Sequence, residues 1–366
     1  MASEAELAAM RRALELSAAA LGTTNPNPAV GAVVIDAEGQ VVGEGATQPV
    51  GGAHAEIVAL AAAGDRARGA TLVATLEPCR HVGRTGPCTD AIVAAGITRV
   101  VYAVADPFEG AAGGADILLA GDVDVEGGAL AAEVSTQLMP WLTAVRRRRP
   151  YVTWKYAATI DGRTAAADGT SRWITGSDAR RDVHRLRAIS DAVVVGIGTV
   201  LADDTHLTVR DWPSTRQPLR VVVDGKARTP TSAHILDDAA RTMVAVGDDA
   251  DPERVKRLRD TGAEVLELPR REGRIDLGAL LAALFERQAL LVLLEGGATL
   301  AGGFVRQHLL DAVVGYHAPA LLGAGPPVLV DAGVETISDA VRLSVVDVAT
   351  LGEDVRVTSV LDRGGR

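Results

Sequence analysis

The chain has 366 residues, of which 48% are hydrophobic and only 3% aromatic, and its formal net charge is −10. This length predicts two domains, and the composition requires cores built from Ala, Val and Leu. The acidic balance argues against a nucleic-acid partner, because phosphate backbones need a basic surface. The chain shows neither a signal-peptide pattern nor an apolar run long enough for a membrane span. We therefore expect a cytoplasmic protein with no membrane partner.

The first half alternates predicted helices and strands, which is typical of an α/β layered domain with its site at the strand ends. Asn27 lies between two prolines before the first strand, where it could present its amide to a ligand or simply form a turn. We also expect Glu77–Cys79 to open a helix. The other predicted elements are helices over 1–21, 54–63 and 130–145 and strands over 30–35, 41–45, 71–76 and 100–105.

The most informative stretch contains His54, Cys79 and Cys88, with Glu56 two residues after the histidine. Three such ligands leave a tetrahedral zinc ion one open position, where water becomes a usable nucleophile. Glu56 is a better proton carrier than ligand, and the helix end favours its ionised form. Zinc-dependent base deaminases combine H-x-E with P-C-x-x-C. Here eight residues separate the cysteines, so we expect residues 80–87 to form a loop.

Simpler interpretations of these residues are possible. H-x-E occurs often by chance, and the two cysteines could form a disulfide or be inert thiols. Cytosolic chains rarely keep disulfides, and the type and order of the ligands together favour zinc. A non-catalytic protein with a structural zinc site is a further alternative. It is disfavoured because structural sites are usually closed by four ligands and need no additional carboxylate.

An arginine run over 146–149, followed by Pro150, marks the end of a helix. We place the domain boundary here and predict domains over 1–147 and 148–366. The run could contact nucleic acid, but a solvated linker at a helix carboxyl end is the preferred interpretation.

In the second half, strands with continuous apolar sequence indicate a sheet covered on both faces. A glycine-rich segment over 295–303 precedes a helix predicted from Phe304. Its backbone N–H groups could face a phosphate, or its glycines could serve close packing. It does not match the G-x-G-x-x-G fingerprint. The other predicted elements are strands over 151–160, 192–197, 219–224, 242–246, 263–268 and 290–295 and helices over 178–188 and 277–287.

Together these motifs resemble the family of bifunctional riboflavin-biosynthesis deaminase–reductases, over nearly the whole chain. The resemblance implies an N-terminal cytidine-deaminase-like α/β/α domain followed by a C-terminal dihydrofolate-reductase-like α/β domain. The long loop between the two cysteines is its most specific part. The matching segments are Asn25–Gly31, His54–Glu56, Thr75–Cys88, Lys155, Thr159–Arg163, Ser171–Thr175, His184–Arg187, Gly198–Asp204, Leu207–Arg210 and Glu295–Gly303.

The resemblance implies two reactions on a phosphorylated pyrimidine. A zinc-dependent hydrolysis removes the 2-amino group of 2,5-diamino-6-(5-phosphoribosylamino)pyrimidin-4-one as ammonia, and NADPH then reduces the ribosyl group to ribityl. We also expect a homo-oligomer, either a dimer or a tetramer. The alternative is another nucleotide or base deaminase with a non-reductase second domain, which would not bind NADPH.

The resemblance also implies roles for individual residues. In the first site, Glu56 carries the proton, and the substrate contacts are Asn27, His81 and Arg84. In the second site, our own candidates for polarising and protonating the reduced group are Lys155 and Asp203. The substrate contacts there are Ser171, Arg187, Leu207, Arg210 and Glu295. The cofactor contacts are Ala157, Trp173, Thr199, Asp203, Gly297, Ala298, Thr299, Leu300, Ala301, Gly302 and Gly303. Without the resemblance, Arg187 would be interpreted as an exposed helix arginine and Trp173 as a core residue.

Overall fold

The computed structural model describes residues 1–80, 86–108 and 110–361. The chain divides into two compact units, Met1–Arg148 and Arg149–Arg366, each built around its own sheet. The sequence placed this boundary one residue earlier. Within the described ranges, no helix combines the length and the apolar character that a membrane crossing requires.

The first unit is a five-stranded sheet with helices, counted over its described residues. The strand order is β2-β1-β3-β4-β5, in which β1 is antiparallel to β2 and β3, and β3, β4 and β5 are parallel. The strands are β1 (Gly31–Ile35), β2 (Val41–Ala46), β3 (Thr71–Leu76), β4 (Arg99–Val104) and β5 (Asp124–Gly127). The helices are α1 (Glu4–Ala20), α2 (Ala55–Ala63), α3 (Cys88–Ala94), α4 (Gly114–Ala120) and α5 (Ala131–Arg147).

Helix α1 packs directly onto β1. It begins at Ser3, whose side chain accepts a hydrogen bond from the Glu6 backbone while Glu6 reaches back to the Ser3 backbone. A Cβ atom on Gly31 would lie 1.8 Å from the Ala13 carbonyl oxygen. Only glycine permits this approach, which brings the start of β1 close to the helix.

The second unit contains a nine-stranded sheet in the part of the chain that is described. Its order is β10-β9-β8-β7-β13-β6-β14-β16-β15, with β16 antiparallel to β14 and β15 and the other pairs parallel. The strands of this sheet are β6 (Tyr151–Thr159), β7 (Ala192–Gly196), β8 (Leu219–Val223), β9 (Thr242–Gly247), β10 (Glu264–Leu268), β13 (Leu291–Glu295), β14 (Ala312–Ala318), β15 (Leu343–Leu351) and β16 (Asp354–Leu361). Two further strands, β11 (Arg270–Arg271) and β12 (Arg274–Ile275), form a separate antiparallel pair. The helices are α6 (Ser177–Ile189), α7 (Ile197–Asp203), α8 (Pro252–Asp260), α9 (Leu277–Glu286) and α10 (Ala298–Arg306).

Apolar clusters cover both faces of the central strands of this sheet. Alternate residues of β7 enter different clusters: Ala192 and Val194 pack with α9 and α10, whereas Val193 and Val195 pack with α6 and α8. The prediction of a sheet covered on both faces, made from the continuous apolar sequence of these strands, is therefore confirmed.

Two predicted helix starts are wrong. The helix expected at Cys79 begins only at Cys88, and residues 77–80, 86 and 87 belong to no helix. Most of the loop expected over 80–87 lies outside the described residues. The helix expected from Phe304 begins at Ala298. A Cβ atom on Gly302 would lie 1.8 Å from the Val330 carbonyl oxygen, so this glycine serves close helix packing rather than a turn.

The arginine run is only partly solvated. Arg146, Arg147 and Arg148 are exposed, but Arg149 makes a bidentate ion pair with Asp311, with N–O distances of 2.7 and 2.8 Å. The linker interpretation is therefore wrong for Arg149, which belongs to the packed second unit.

Candidate active sites

Three element ends bring the predicted zinc ligands together. His54 is the residue that caps the amino end of α2, Cys79 follows β3, and Cys88 is the first residue of α3. The ligand atoms of the three residues all lie within 4.8 Å of one another. Both cysteines are buried free thiols, so the disulfide interpretation is wrong.

The geometry of this cluster fits a tetrahedral zinc ion. His54 Nδ1 lies 3.3 Å from Cys88 Sγ and 3.4 Å from Cys79 Sγ. Zinc–nitrogen and zinc–sulfur bonds of ordinary length give an N–S separation of about 3.6 Å at the tetrahedral angle. One imidazole and two thiolates are a donor set that zinc prefers, and they leave a fourth position for water.

The protonation of the site favours both metal binding and proton transfer. A hydrogen bond between the thiols lowers the pKa of Cys79 and raises that of Cys88, so one thiolate forms readily. Burial raises the pKa of Glu56 to about 7. The helix end was expected to favour the ionised carboxylate. That expectation is wrong, because desolvation, which favours the neutral form, outweighs the helix potential. A carboxyl group with such a pKa can accept and return a proton near neutral pH.

Glu77 stabilises the segment next to the zinc ligands, a role that was not predicted from the sequence. Its carboxylate accepts backbone hydrogen bonds from Asp106 (3.1 Å), Gly113 (3.1 Å) and Ala115 (3.0 Å). These bonds tie the segment that carries Cys79 to the start of α4. The signal in the sequence is an acid that directly follows an apolar strand, because a carboxylate that becomes buried there needs hydrogen-bond partners.

The predicted substrate contacts of the first site are only partly described. Asn27 lies in a turn, where its backbone N–H donates to the Thr24 carbonyl oxygen (2.9 Å). Trp141 Nε1 donates to the Pro26 carbonyl oxygen (3.0 Å) and holds the same turn. The predicted contacts His81 and Arg84 lie outside the described residues.

A buried ionic cluster forms the centre of the second unit's site. Arg187 on α6 donates from Nε and Nη2 to the Glu295 carboxylate, at 2.6 and 2.9 Å. Lys155 on β6 lies directly opposite Glu295 on β13. Burial would raise the pKa of Glu295, but Arg187 and Lys155 outweigh it and lower the pKa. Desolvation lowers the pKa of Lys155, Glu295 opposes this, and Arg187 adds to it.

The predicted substrate loop, 207–210, is fixed by three side chains. Arg187 Nη1 donates to the Thr208 carbonyl oxygen (3.0 Å), and the Arg210 backbone N–H donates to His184 Nδ1 (3.2 Å). Gln217 makes two hydrogen bonds to the Val209 backbone, at 2.7 and 3.0 Å. This role of Gln217 was not predicted from the sequence. The interpretation of Arg187 as an exposed arginine is wrong, because only 9% of it is exposed.

A cavity of 560 Å³ lies where β7, β8 and β13 end. This volume is in the range of small-molecule sites. A Cβ atom on Gly296 would lie 2.8 Å from Thr199 Oγ1, so the turn before α10 fits closely against α7. Of the predicted cofactor contacts, those that line the cavity are Thr199, Asp203, Gly297, Thr299, Leu300 and Gly303.

The other predicted cofactor contacts have different environments. Ala301 is fully buried in α10, and Ala157 is half-buried on β6. Trp173 is 70% exposed, which contradicts its interpretation as a core residue. The Arg180 guanidinium lies 4.5 Å from its ring centroid. Ser171, a predicted substrate contact, is half-buried in the same segment.

Comparison with known families covers both units. The profile described as "RibD C-terminal domain" matches residues 150–357, and that described as "Cytidine and deoxycytidylate deaminase zinc-binding region" matches residues 3–104. The riboflavin biosynthesis protein RibD of Mycobacterium tuberculosis is 45% identical over 356 residues, which cover 96% of each chain. The chain belongs to the RibD family.

Other relatives agree with this assignment. The RibD protein of Escherichia coli is 39% identical over 94% of this chain and 96% of its own. A structure of Acinetobacter baumannii RibD superimposes with a TM-score of 0.89 at 38% identity, covering 98% of this chain and 99% of that chain. The Thermotoga maritima diaminohydroxyphosphoribosylaminopyrimidine deaminase/5-amino-6-(5-phosphoribosylamino)uracil reductase gives a TM-score of 0.86 at 34% identity, with the same coverage.

Membership of this family establishes the general function and fold. The protein is a bifunctional deaminase and reductase of riboflavin biosynthesis, with a small-molecule pyrimidine substrate. The zinc-binding deaminase domain and the dihydrofolate-reductase-like domain predicted from the sequence are both confirmed.

Proposed function

We propose that the first unit deaminates 2,5-diamino-6-(5-phosphoribosylamino)pyrimidin-4-one and that the second reduces the ribosyl group of the product with NADPH. The observation that carries this proposal is the cluster of His54, Cys79 and Cys88 beside Glu56, in a chain whose second unit holds a cavity at its strand ends. The Thermotoga relative, named for the same pair of activities, supports it.

In the deaminase site, His54, Cys79 and Cys88 would hold zinc, which lowers the pKa of water towards neutrality. Glu56 removes the proton from the attacking water and passes it to the amino group, which leaves as ammonia. Its raised pKa suits both transfers. Asn27, His81 and Arg84 bind the base and the ribose phosphate.

In the reductase site, the turn at Gly296–Gly297 and the first residues of α10 would hold the cofactor phosphates. Gly296 and Gly297 have positive φ angles of 82° and 71°, which orient the turn, and the N–H groups at a helix start attract anions. NADPH supplies a hydride when bound. Its further contacts are Ala157, Trp173, Thr199, Asp203, Ala298, Thr299, Leu300, Ala301, Gly302 and Gly303.

The substrate of the reductase is bound next to the buried ionic cluster. Lys155 and Asp203 polarise the sugar oxygen and supply its proton. The Arg187 guanidinium fixes the Glu295 carboxylate, and the charge of Glu295 on the neighbouring strand raises the pKa of Lys155 against the effect of burial. The remaining substrate contacts are Ser171, Leu207 and Arg210.

A two-stage assay with the purified protein tests both steps. Ammonia release is measured first without cofactor, and NADPH oxidation is measured after NADPH is added. We expect both signals in sequence. Ammonia without NADPH oxidation would identify a deaminase with a different second domain. An absence of ammonia from zinc-loaded protein would refute the deaminase proposal.

We also propose that the chain forms a homo-oligomer, a dimer or a tetramer, through strand β15. This strand lies at the edge of the sheet, and its register with β16 puts Leu343, Val345 and Val348 on one face. They are 43%, 61% and 61% exposed. An apolar edge strand of this kind favours self-association. Sedimentation should show an oligomer that dissociates in Val345→Lys; a monomeric wild type would refute the proposal.

A further inference from the structure

Two histidines of the second unit, His206 and His234, contact each other. Their rings stack, with centroids 4.5 Å apart and planes inclined by 29°. His206 lies in the connection between α7 and the predicted substrate loop, whereas His234 lies in the segment between β8 and β9. The stacked rings therefore join two segments that are distant in the sequence.

Each imidazole also contacts a carboxylate of the opposite segment. His206 Nδ1 lies 3.0 Å from Asp237 Oδ2, and His234 Nδ1 lies 2.8 Å from Asp204 Oδ2. A carboxylate oxygen accepts a hydrogen bond, so each Nδ1 carries a hydrogen and donates it. The backbone N–H of His234 donates to the other oxygen of Asp204 (2.9 Å). Reciprocal hydrogen bonds thus join the same two segments.

A buried arginine anchors this connection to the sheet. Arg220 on β8 is fully buried, and its Nη1 donates to Asp237 Oδ1 (2.6 Å) and to the His206 carbonyl oxygen (3.4 Å). Burial would raise the pKa of Asp237, but the hydrogen bonds from Arg220 and His206 outweigh it and lower the pKa. Asp237 is therefore held in place as an ionised acceptor for His206.

The loop that these contacts fix, residues 204–207, has an unusual backbone. Asp204 and Leu207, at its two ends, have positive φ angles of 43° and 52°. Such conformations are disfavoured for residues with a side chain and persist where the surrounding structure imposes them. Asp203 is the last residue of α7, directly precedes this loop and lines the cavity. A displacement of the loop would therefore move Asp203 within the site.

We propose that His206 and His234 are positioning residues of the reductase, which fix loop 204–207 and thereby hold Asp203 in its place at the cavity. This assignment rests on the proposed reductase function. It goes beyond that function by assigning the orientation of Asp203 to two side chains that are not among those lining the cavity.

Substitutions that keep or remove the Nδ1 donor test the assignment. The side-chain nitrogen of Asn falls close to the position of Nδ1, whereas that of Gln falls close to Nε2. Only Asn therefore retains a donor to the facing carboxylate. We expect His206→Gln and His234→Gln to lower the kcat of NADPH oxidation with deaminated substrate by about tenfold to a hundredfold, because a small misplacement of a reacting group slows catalysis. KM for the substrate should stay near the wild-type value, and His206→Asn and His234→Asn should recover part of the rate.

A double-mutant cycle with Asp203→Asn shows whether the histidines act through Asp203. In the Asp203→Asn background, His234→Gln should lower kcat little further, because the group that His234 positions has already been replaced. A purely structural role of His234 would instead multiply the two losses. The same cycle with His234→Asn provides the comparison if the Gln variant does not fold.

Two controls accompany these measurements, and thermal melting shows whether each variant is folded. Ammonia release by the same preparations should be unchanged, because both histidines belong to the second unit. His308→Gln is the matched control, since His308 is exposed and is not among the residues that line the cavity, and it should behave as the wild type.

The possible outcomes separate this assignment from the reductase function itself. A wild-type kcat in the folded Gln variants would overturn the positioning role, as would multiplied losses in the double-mutant cycle. If the wild type does not oxidise NADPH, the reductase proposal fails and the assignment fails with it.

Discussion

The two sites of this protein are built from the sequence in different ways. The zinc ligands come from one stretch, residues 54–88, and their ligand atoms lie within 4.8 Å. The ionic cluster of the reductase joins Lys155, Arg187 and Glu295 from three separate elements. The first site can be inferred from local motifs. The second depends on strand order, so its individual bonds appear only in the fold.

The largest expected effect comes from removing the proton carrier of the deaminase site, a change that should leave the reductase activity unaltered. Glu56→Gln keeps the size of the side chain but cannot exchange a proton. We expect the rate of ammonia release to fall by about 10²- to 10⁴-fold. Bound zinc, measured by atomic absorption, should stay at the wild-type level, because Glu56 is not one of the three ligands.

The control for this variant is the other unit. NADPH oxidation with deaminated substrate should proceed at the wild-type rate, because Glu56 belongs to the first unit. Undiminished ammonia release would show that another group carries the proton.

The next largest effect is expected on the stability of the reductase unit when its buried ionic cluster loses one charge. Glu295→Gln leaves the Arg187 guanidinium buried without its charged partner. Removing one member of a buried ion pair costs about 3–5 kcal/mol. We expect the free energy of unfolding of the reductase unit, measured by urea denaturation, to fall by this amount.

An exposed pair in the same unit provides the comparison. Arg259 and Glu267 are 2.7 Å apart, with side chains 53% and 49% exposed. Glu267→Gln should cost less than about 1 kcal/mol, because solvent screens exposed pairs. If Glu295→Gln and Glu267→Gln lower the free energy of unfolding equally, burial does not strengthen the effect of breaking the Arg187–Glu295 pair.

The sequence predicted the layered folds, the zinc ligands and most strands, because these depend on local pattern. It did not predict that Glu77 braces the zinc site or that Arg228 lines the cavity. Both roles arise from long-range contacts. Glu77 contacts α4, and Arg228 lines a cavity that the end of β7 and the start of α10 also line. The ionised state predicted for Glu56 was also wrong, because the burial that raises its pKa is a property of the packed chain.

A smaller effect is expected from a change in packing next to the zinc ligand Cys79. A Cβ atom on Gly114 would lie 1.8 Å from the Pro78 carbonyl oxygen, next to Cys79. Overpacking of this kind costs about 1–3 kcal/mol. Gly114→Ala should therefore destabilise the deaminase unit and weaken zinc binding, as measured by competition with a chelator.

The control is Gly86→Ala, two residues before the zinc ligand Cys88. No described atom lies within 4 Å of a Cβ at Gly86. This variant should bind zinc like the wild type. If both variants weaken zinc equally, the close packing of Gly114 is not the cause.

The smallest effect concerns the pH dependence of the reductase unit. Desolvation lowers the pKa of Lys155 from its ordinary value of 10.5. Between the lowered pKa and 10.5, the unfolded chain binds more protons, so stability rises with pH in that window. Urea unfolding should show wild-type stability increasing relative to Lys155→Met as pH rises towards 10.5. The exposed Lys256→Met variant should keep the wild-type slope, and parallel slopes for all three proteins would show that Lys155 is not desolvated.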